Sequence, residues 1–286
     1  MIKNARSILE RSSSVFVLTG AGISAESGVP TFRGGGTSLT WRGMPFEVLS
    51  SAQMVGRDLP LVWEWFDYRR DLVSKCEPNA GHLALAGAAE SVRFERFALV
   101  TQNIDGLHAR AAEHAVQRRR EPPRQSRQKT SGLPPLLRKE GSFKKRAGPN
   151  NLVELHGNIY EARCLGCGAI ADLKTMPDEE RPPVCPECSD SMRPNVVLFG
   201  EMLPIGAFER ARAAAEACDV CLVVGTSALV APANMLPEVA KTAGAHVIEV
   251  NPEVTALTGL ADVSIRGTAA GVLPKILNAE NAEIVK

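Results

Sequence analysis

One stretch of the sequence decides the fold: residues 15–28 read VFVLTGAGISAESG. Its first four residues are apolar and predict a buried strand. Glycines follow at Gly20 and Gly22. A strand that runs through glycines into a helix N-terminus makes a pocket for a pyrophosphate, because small residues allow close approach and free amides face the anion. The spacing departs from G-x-G-x-x-G, since position 25 is alanine and the next glycine is Gly28. The stretch therefore predicts a dinucleotide site, with an ordinary tight turn as the alternative.

Length and composition fit a globular protein. The chain has 286 residues, 44% of them hydrophobic, which suits one large domain or one domain that carries a smaller module. The longest apolar runs, such as Val220 to Val224, fall well short of the roughly 20 residues that span a bilayer, and the residues before Val15 do not resemble a signal peptide. We therefore expect a cytoplasmic protein.

Short β-rich runs alternate with alanine-rich helical stretches. The runs are Val15–Leu18, Phe97–Thr101, Asn195–Phe199, Val220–Val224, His246–Val250 and Val263–Ile265. Helical patterns at 207–217 and 233–243 separate several of them. This alternation predicts an α/β fold with a doubly wound, parallel, Rossmann-like sheet.

The net charge of +1 conceals an asymmetry. Residues 115–150 contain eleven Lys or Arg against two Glu, a balance of +9, so the other 250 residues carry −8. The segment has no apolar period and contains two Pro-Pro pairs, so it cannot bury enough surface to order itself. We predict a disordered basic insertion over 115–150, with a nucleic-acid tether as the alternative.

Four of the seven cysteines form two Cys-x-x-Cys pairs. Cys164 and Cys167 are separated by seventeen residues from Cys185 and Cys188. This spacing is typical of two knuckles that close on one tetrahedral zinc, and four thiolates leave no open position for substrate. The sequence therefore predicts a structural zinc. The similar pair at 218 and 221 leads directly into a strand, and we interpret both cysteines as core residues.

Polar residues follow several predicted strands, and the carboxyl ends of strands are where ligands bind in open α/β sheets. They are Gln102, Asn103 and Asp105, then Gly225-Thr226-Ser227, then Asn251-Pro252-Glu253. Each group is also a plausible turn or helix cap. His156, before Gly157, suits proton transfer near neutral pH, although a lone histidine is more often structural. We expect His108 to cap or pack.

The ordered motifs together resemble those of the sirtuins. They are GAGIS at 20–24, PTFR at 30–33, TQNID at 101–105, His156-Gly157, the two cysteine pairs, FGE at 199–201, GTS at 225–227 and Asn251. The resemblance covers nearly the whole chain. It implies a Rossmann-like NAD-binding domain of residues 1–33, 87–156 and 195–286, and a small domain with a helical part at 34–86 and a zinc-ribbon part at 157–194.

The resemblance also implies NAD-dependent removal of acyl groups from lysine. NAD is consumed as a co-substrate: nicotinamide leaves, and O-acyl-ADP-ribose and free lysine are the products. The implied cofactors are NAD and a structural Zn2+. The implied partners are acylated-lysine proteins or peptides. We expect a monomer that binds neither nucleic acid nor a membrane.

Carried over residue by residue, the resemblance assigns roles to positions of this chain. His156 is the implied catalytic base, and Asn103 and Asp105 act beside it. The implied NAD contacts are Gly20, Ala21, Gly22, Ser24, Glu26, Thr31, Phe32, Arg33, Gln102, Asn103, Ile104, Asp105, Gly225, Thr226, Ser227, Asn251, Pro252, Glu253 and Ala269. The implied contacts to the acylated peptide are Phe66, Arg69, Val197, Phe199, Gly200 and Glu201.

Four positions bear on the acyl group. Ala21 and Thr31 recur in the sirtuin branch that removes malonyl, succinyl and glutaryl groups, which also carries a Tyr-x-x-Arg pair for the acyl carboxylate. Here Arg69 is kept and Phe66 replaces the tyrosine. A charged hydrogen bond to the acyl carboxylate contributes about 1.5–3 kcal/mol to binding, and a neutral one contributes about 1 kcal/mol. Arg69 therefore keeps the larger of the two contributions. We expect removal of acetyl and of malonyl or succinyl groups; deacetylation alone and mono-ADP-ribosyl transfer are the alternatives.

Overall fold

The computed structural model describes residues 1–30, 40–120, 151–176 and 181–277. The predicted NAD contacts Thr31, Phe32 and Arg33 lie outside these ranges, as does the predicted disordered insertion from 121 onward. Its first six residues, 115–120, are helical, so the predicted start is wrong. Alanine, glutamine and arginine favour a helix, and no proline stands between positions 107 and 121.

A six-stranded parallel sheet forms the centre of the molecule. Its strands are β1 (Ser14–Thr19), β4 (Arg96–Thr101), β5 (Leu152–Glu154), β9 (Val220–Val224), β10 (His246–Val250) and β11 (Val263–Ile265). Their order is β11-β10-β9-β1-β4-β5, and all neighbours are parallel. Every residue of β1 is buried, as expected for a central strand covered on both faces. The predicted doubly wound fold is confirmed.

Helices cover both faces of this sheet. One face carries α1 (Ile2–Glu10), α6 (Ala80–Ala89) and α10 (Ala269–Ile276), which pack against Val15 and Val17. The other carries α8 (Ile205–Glu216) and α9 (Leu236–Thr242), which pack against Phe16 and Leu18. Two further helices, α2 (Gly22–Ala25) and α7 (Leu107–Arg120), follow β1 and β4. The helix α6 thus packs in the core of the large sheet, although the predicted helical part of the small domain runs to residue 86.

The smaller part combines short helices with an antiparallel sheet. Its helices are α3 (Phe46–Leu49), α4 (Ala52–Arg57) and α5 (Leu59–Ser74), preceded by the hairpin of β2 (Thr40–Trp41) and β3 (Met44–Pro45). Its sheet contains β6 (Gly157–Cys164), β7 (Ile170–Asp172) and β8 (Met192–Val196) in the order β7-β6-β8. The run predicted as a strand over Asn195–Phe199 is therefore corrected: the strand ends at Val196 and pairs with β6, not with the parallel sheet.

A close contact between two turns fixes the carboxyl edge of the large sheet. A Cβ on Gly20 would lie 2.7 Å from Thr226 Cβ, and a Cβ on Gly22 would lie 2.7 Å from the carbonyl oxygen of Gly225. Gly225 has a φ of +58°, and a Cβ there would lie 2.5 Å from the Ile23 nitrogen. The turns after β1 and β9 therefore require glycine at all three positions.

Replacing Gly22 with alanine should lower the free energy of unfolding by about 1–3 kcal/mol, because the added methyl group meets backbone that cannot move aside. Urea unfolding followed by circular dichroism measures this. The matched control is Gly87→Ala, since Gly87 is exposed within α6 and a Cβ there meets nothing within 4 Å. That variant should gain up to about 1 kcal/mol from helix propensity. Equal losses in both variants would contradict the packing argument.

Candidate active site

A cavity of about 1290 Å³ lies at the carboxyl ends of β1, β4, β9 and β10 and reaches α5 of the smaller part. It brings together predicted residues that are far apart in sequence. Those in its wall are Gly20, Ala21, Gly22, Ser24, Phe66, Arg69, Gln102, Asn103, Ile104, Asp105, His156, Val197, Phe199, Gly200, Glu201, Gly225, Thr226, Ser227, Asn251, Pro252 and Glu253. The cavity is thus placed where ligands bind in open α/β sheets.

Two described residues of the predicted NAD site lie beside the cavity rather than in its wall. The carboxylate of Glu26 accepts a hydrogen bond of 2.9 Å from the amide of Ala270, in the first turn of α10. Ala269 begins the same helix and is buried. Their predicted contact with NAD stays a prediction.

The amides of the glycine turn are used differently from the expectation. The Gly20 amide donates to the carbonyl of Val224 at 3.0 Å, and the Gly22 amide donates to the carbonyl of Gly225 at 2.7 Å. The Ile23 amide donates to the Gly20 carbonyl. The expectation of free amides is therefore wrong at these three positions: β9 and the turn after it accept from Gly20 and Gly22, and the Ile23 amide bonds within its own turn.

His156 lies in the cavity wall just beyond β5. Its Nδ1 is 2.7 Å from the carbonyl oxygen of Gln102, which accepts only, so Nδ1 carries the proton and Nε2 is the basic nitrogen. Burial lowers the pKa of His156 below its usual 6.5, and the Gln102 carbonyl offsets part of this effect. The imidazole is therefore neutral at neutral pH and suited to take up a proton.

Asp105 and Asn103 are held by a buried hydrogen-bond network at the floor of the cavity. Ser24 Oγ donates to Asp105 Oδ2 at 2.7 Å, and the Leu107 amide donates to Oδ1 at 3.0 Å. Asn103 Nδ2 donates to Ser24 Oγ at 3.1 Å. Burial raises the pKa of Asp105, whereas the bonds from Ser24 and Leu107 oppose the rise. The network fixes both side chains before any ligand arrives.

His82 belongs to this network, and sequence reasoning missed it. Its Nδ1 accepts from the Asn79 amide at 3.3 Å, so Nε2 carries the proton and donates to Ser24 Oγ at 3.3 Å. Burial lowers the pKa of His82 to about 4. The Asn-x-x-His spacing at the start of α6 signals only a helix cap. His108 packs beside His82, with ring centroids 4.9 Å apart, as predicted.

The segment 197–201, which contains four of the implied peptide contacts, is partly paired within the protein. The Val197 amide donates to the His156 carbonyl at 2.8 Å. Phe199 donates its amide to the Ser50 carbonyl at 2.8 Å and accepts from the Ala52 amide at 3.1 Å. These backbone groups are therefore not available to a bound peptide.

Glu201 holds that segment from inside. Both of its carboxylate oxygens bond to the guanidinium of Arg193, with Nη2 3.1 Å from Oε2, and the Leu198 amide donates to Oε2 at 2.9 Å. Burial alone would raise the pKa of Glu201, but Arg193 and the Leu198 amide outweigh it and lower the pKa overall. Arg193 also donates to the Val196 carbonyl at 2.7 Å. No local pattern singled out Arg193.

Helix α5 contributes an aromatic ring and a guanidinium to the cavity wall. Phe66 is 1% exposed and Arg69 is 6% exposed, and both lie in the wall. The Cζ atom of Arg69 is 5.6 Å from the ring centroid of Trp65. Burial lowers the pKa of Arg69 to about 10, although the charge of Asp105 opposes the shift. The side chain therefore remains positively charged at neutral pH.

The four predicted zinc ligands, Cys164, Cys167, Cys185 and Cys188, form one cluster whose sulfur atoms all lie within 4.8 Å of one another. Two of the Sγ pairs are 3.4 and 3.7 Å apart. Zinc–sulfur bonds of about 2.3 Å in a tetrahedron place sulfurs about 3.8 Å apart, so the cluster fits one zinc ion.

The cysteine cluster has a small apolar core beneath it. Trp63 of α5 is buried against Cys164, Cys185 and Met192, and its Nε1 donates to the Met192 carbonyl at 2.8 Å. The ribbon is therefore joined to the helical part. The other pair, at 218 and 221, is buried in the core of the large sheet, as predicted.

A doubly wound sheet with a cavity at its carboxyl edge and a separate four-thiolate module defines a nucleotide-binding α/β protein with a structural metal. The Sir2 family model matches residues 20–119 and 141–232, and the chain belongs to this family. The predicted membership in the sirtuins is thereby confirmed. Within the described residues, no helix is long and apolar enough to cross a membrane.

Similar proteins cover nearly the whole chain. "NAD-dependent protein deacylase 2" of Pyrobaculum aerophilum is 40% identical over 274 residues, which is 96% of this chain and 94% of the relative. The NAD-dependent protein deacylase of Aquifex aeolicus is 41% identical over 263 residues, 92% of this chain and 93% of the relative. A solved Sir2 homolog–NAD complex has a TM-score of 0.76 and 34% identity, covering 97% of this chain and 93% of that one.

Removing the zinc should unfold the small sheet, because the free energy of metal binding is largely the folding free energy of such a module. We expect Cys164→Ser to lower the zinc content from one ion per chain towards zero and to lower the melting temperature. Elemental analysis and thermal unfolding measure both. Cys76→Ala is the control, since Cys76 is buried outside the cluster. Full zinc content in Cys164→Ser would contradict the assignment.

Proposed function

We propose that the chain is an NAD-dependent protein-lysine deacylase that removes malonyl and succinyl groups as well as acetyl groups. The coarser part, an NAD-dependent protein deacylase, is the class to which the named relatives belong, and the prediction of that class is confirmed. The finer part concerns the acyl group and depends on the residues under α5.

One observation carries the choice of acyl group: the positively charged guanidinium of Arg69 lies in the cavity wall, one helical turn from the apolar ring of Phe66. A dicarboxylic acyl group brings a carboxylate to this part of the cavity, and its charge complements Arg69. The positive side chain thus favours an acidic acyl group there.

Phe66 weakens the preference for an acidic acyl group. It lines the cavity one turn before Arg69 and supplies an apolar wall without a hydrogen-bond donor. Tyr68 is 43% exposed, stacks on Trp65 and lies outside the wall of this cavity, although it lines a second, smaller cavity together with Arg69. The pocket therefore accepts acetyl groups on its apolar surface and acidic groups through Arg69.

His156 is the proposed base of the reaction. When bound, NAD supplies the ribose to which the acyl group is transferred, as in the family. The bond from Nδ1 to the Gln102 carbonyl leaves Nε2 to take a proton from a ribose hydroxyl. Asn103 and Asp105 stay fixed through Ser24 and orient that ribose.

Arg69→Met should lower kcat/KM for a succinylated peptide by about 10- to 100-fold, because a charged hydrogen bond is lost, and should leave the acetylated peptide within about threefold. Phe66→Tyr should raise the succinyl rate by about fivefold, the value of one neutral hydrogen bond. Nicotinamide release on both versions of one peptide measures these rates.

Asp71→Asn is the matched control for both variants. Asp71 is an exposed residue of the same helix that pairs with Lys75 outside the cavity, so neither rate should change. A succinyl rate at background in the unmodified protein would refute the dicarboxylic part and leave a deacetylase. Stable transfer of ADP-ribose to protein would instead favour a mono-ADP-ribosyltransferase.

The pH dependence should report His156. Its pKa lies below 6.5, and only the neutral form accepts a proton, so kcat/KM should be level at neutral pH and fall as the pH drops through that lowered pKa. His156→Tyr should reduce turnover by about 10²- to 10⁴-fold. A pH profile measured between pH 5 and 8 checks the first expectation. Activity that rises on acidification would exclude His156 as the base.

A further inference from the structure

A buried carboxylate on β10 stands behind one wall of the cavity. Glu249 is 1% exposed, and its carboxylate accepts hydrogen bonds from Thr255, Thr258 and Ser264 and from Arg266. The bonds from Thr258 and Ser264 measure 2.9 and 2.6 Å, and the bond from Arg266 measures 3.2 Å. A buried carboxylate with four donors is fully compensated, and its partners are fixed in return.

Two of those partners lie on the loop 251–258. Thr255 Oγ1, besides bonding to Glu249, accepts from the Leu257 amide at 3.1 Å. Thr258 Oγ1 accepts from the Thr255 amide at 2.9 Å. The carboxylate of Glu249 thus fixes the two threonine side chains, and these side chains in turn fix the backbone of the loop.

Arg266 holds the same loop from the other side. Its Nη1 donates to the Glu253 carbonyl at 2.6 Å, and its Nη2 donates to Thr258 Oγ1 at 3.0 Å. All residues from 251 to 256 lie in the cavity wall. Glu249 and Arg266 do not, so they act on the cavity only through this loop.

The loop lies far from the reacting end of the cavity. His156 follows β5, and the loop follows β10, four strands away in the sheet order. Neighbouring strands are about 4.8 Å apart, so the two ends are separated by about 19 Å. A dinucleotide whose reacting ribose lies near His156 therefore presents its adenosine half to this loop.

We propose that buried Glu249 and its exposed partner Arg266 form a positioning device for NAD: together they hold the loop 251–256 in the shape that binds the adenosine half. This inference rests on the proposed NAD-dependent function. Neither residue touches the reacting atoms, so their loss changes binding of the nucleotide rather than the chemical step.

The experiment measures Glu249→Gln, which keeps the shape of the side chain but removes its charge. We expect KM for NAD and the dissociation constant of ADP-ribose, measured by calorimetry, to rise at least about tenfold. We expect kcat and KM for the acylated peptide to stay within about twofold. Arg266→Gln should raise both constants in the same way. In the double variant, the loss of binding free energy should be smaller than the sum of the two single losses, because the residues act as a pair.

Asp219→Asn is the matched control. Its carboxylate also fixes a loop, with bonds of 2.8 Å from the Ser13 and Ser14 amides, but at the opposite end of the sheet. It should leave ADP-ribose binding unchanged. Thr258→Val, which removes one donor to Glu249 with little change in shape, serves as the second variant if Glu249→Gln does not fold, and it should weaken ADP-ribose binding about threefold or more.

The outcomes are distinct. Unchanged ADP-ribose binding in a folded Glu249→Gln or Thr258→Val variant overturns the inference and leaves the proposed function standing. An equal loss of binding in Asp219→Asn also overturns it, since the effect is then one of general stability. Failure of the unmodified protein to bind ADP-ribose refutes the proposed function and the inference together.

Discussion

The contact between the turns after β1 and β9 is the constraint on which the site depends. These turns touch through backbone at Gly20, Gly22 and Gly225, at distances that leave no room for a Cβ. Because β1 and β9 are neighbours in the sheet, this contact fixes how their ends face each other. Ser24 follows one turn and Thr226 the other, so both walls of the cavity take their positions from it.

The same contact gives the opening glycines a different physical meaning from the one their pattern suggests. The sequence indicates a phosphate cradle with unused amides, whereas the Gly22 amide donates to the Gly225 carbonyl. Glycines in a pattern indicate positions where another group lies close to the backbone, and that group can be a second turn of the protein as well as a ligand. The irregular spacing before Gly28 follows from this, because α2 is a single short turn rather than a long helix.

Signals that are local in sequence predicted most of the fold and part of the site. Apolar runs marked the parallel strands, and the spacing of the cysteine pairs marked the metal cluster. The prediction for the run at 195–199 was wrong about its sheet, because an apolar pattern does not indicate which neighbouring strand a segment pairs with. His82, Arg193 and Glu249 gave no signal. Each acquires its role from hydrogen bonds that form only when separate elements meet.

Two carboxylates with compensated charges support the cavity wall, one in each half of the site. Glu201 is neutralised by Arg193 in the smaller part, whereas Glu249 is neutralised in the large domain by three hydroxyl donors and Arg266. An uncompensated buried charge would cost several kcal/mol, so each network keeps its own wall rigid. The end of the cavity under α5 lies on a different element from the loop after β10. Substitutions at positions 66 and 69 can therefore change which acyl group fits without altering the wall that holds the nucleotide.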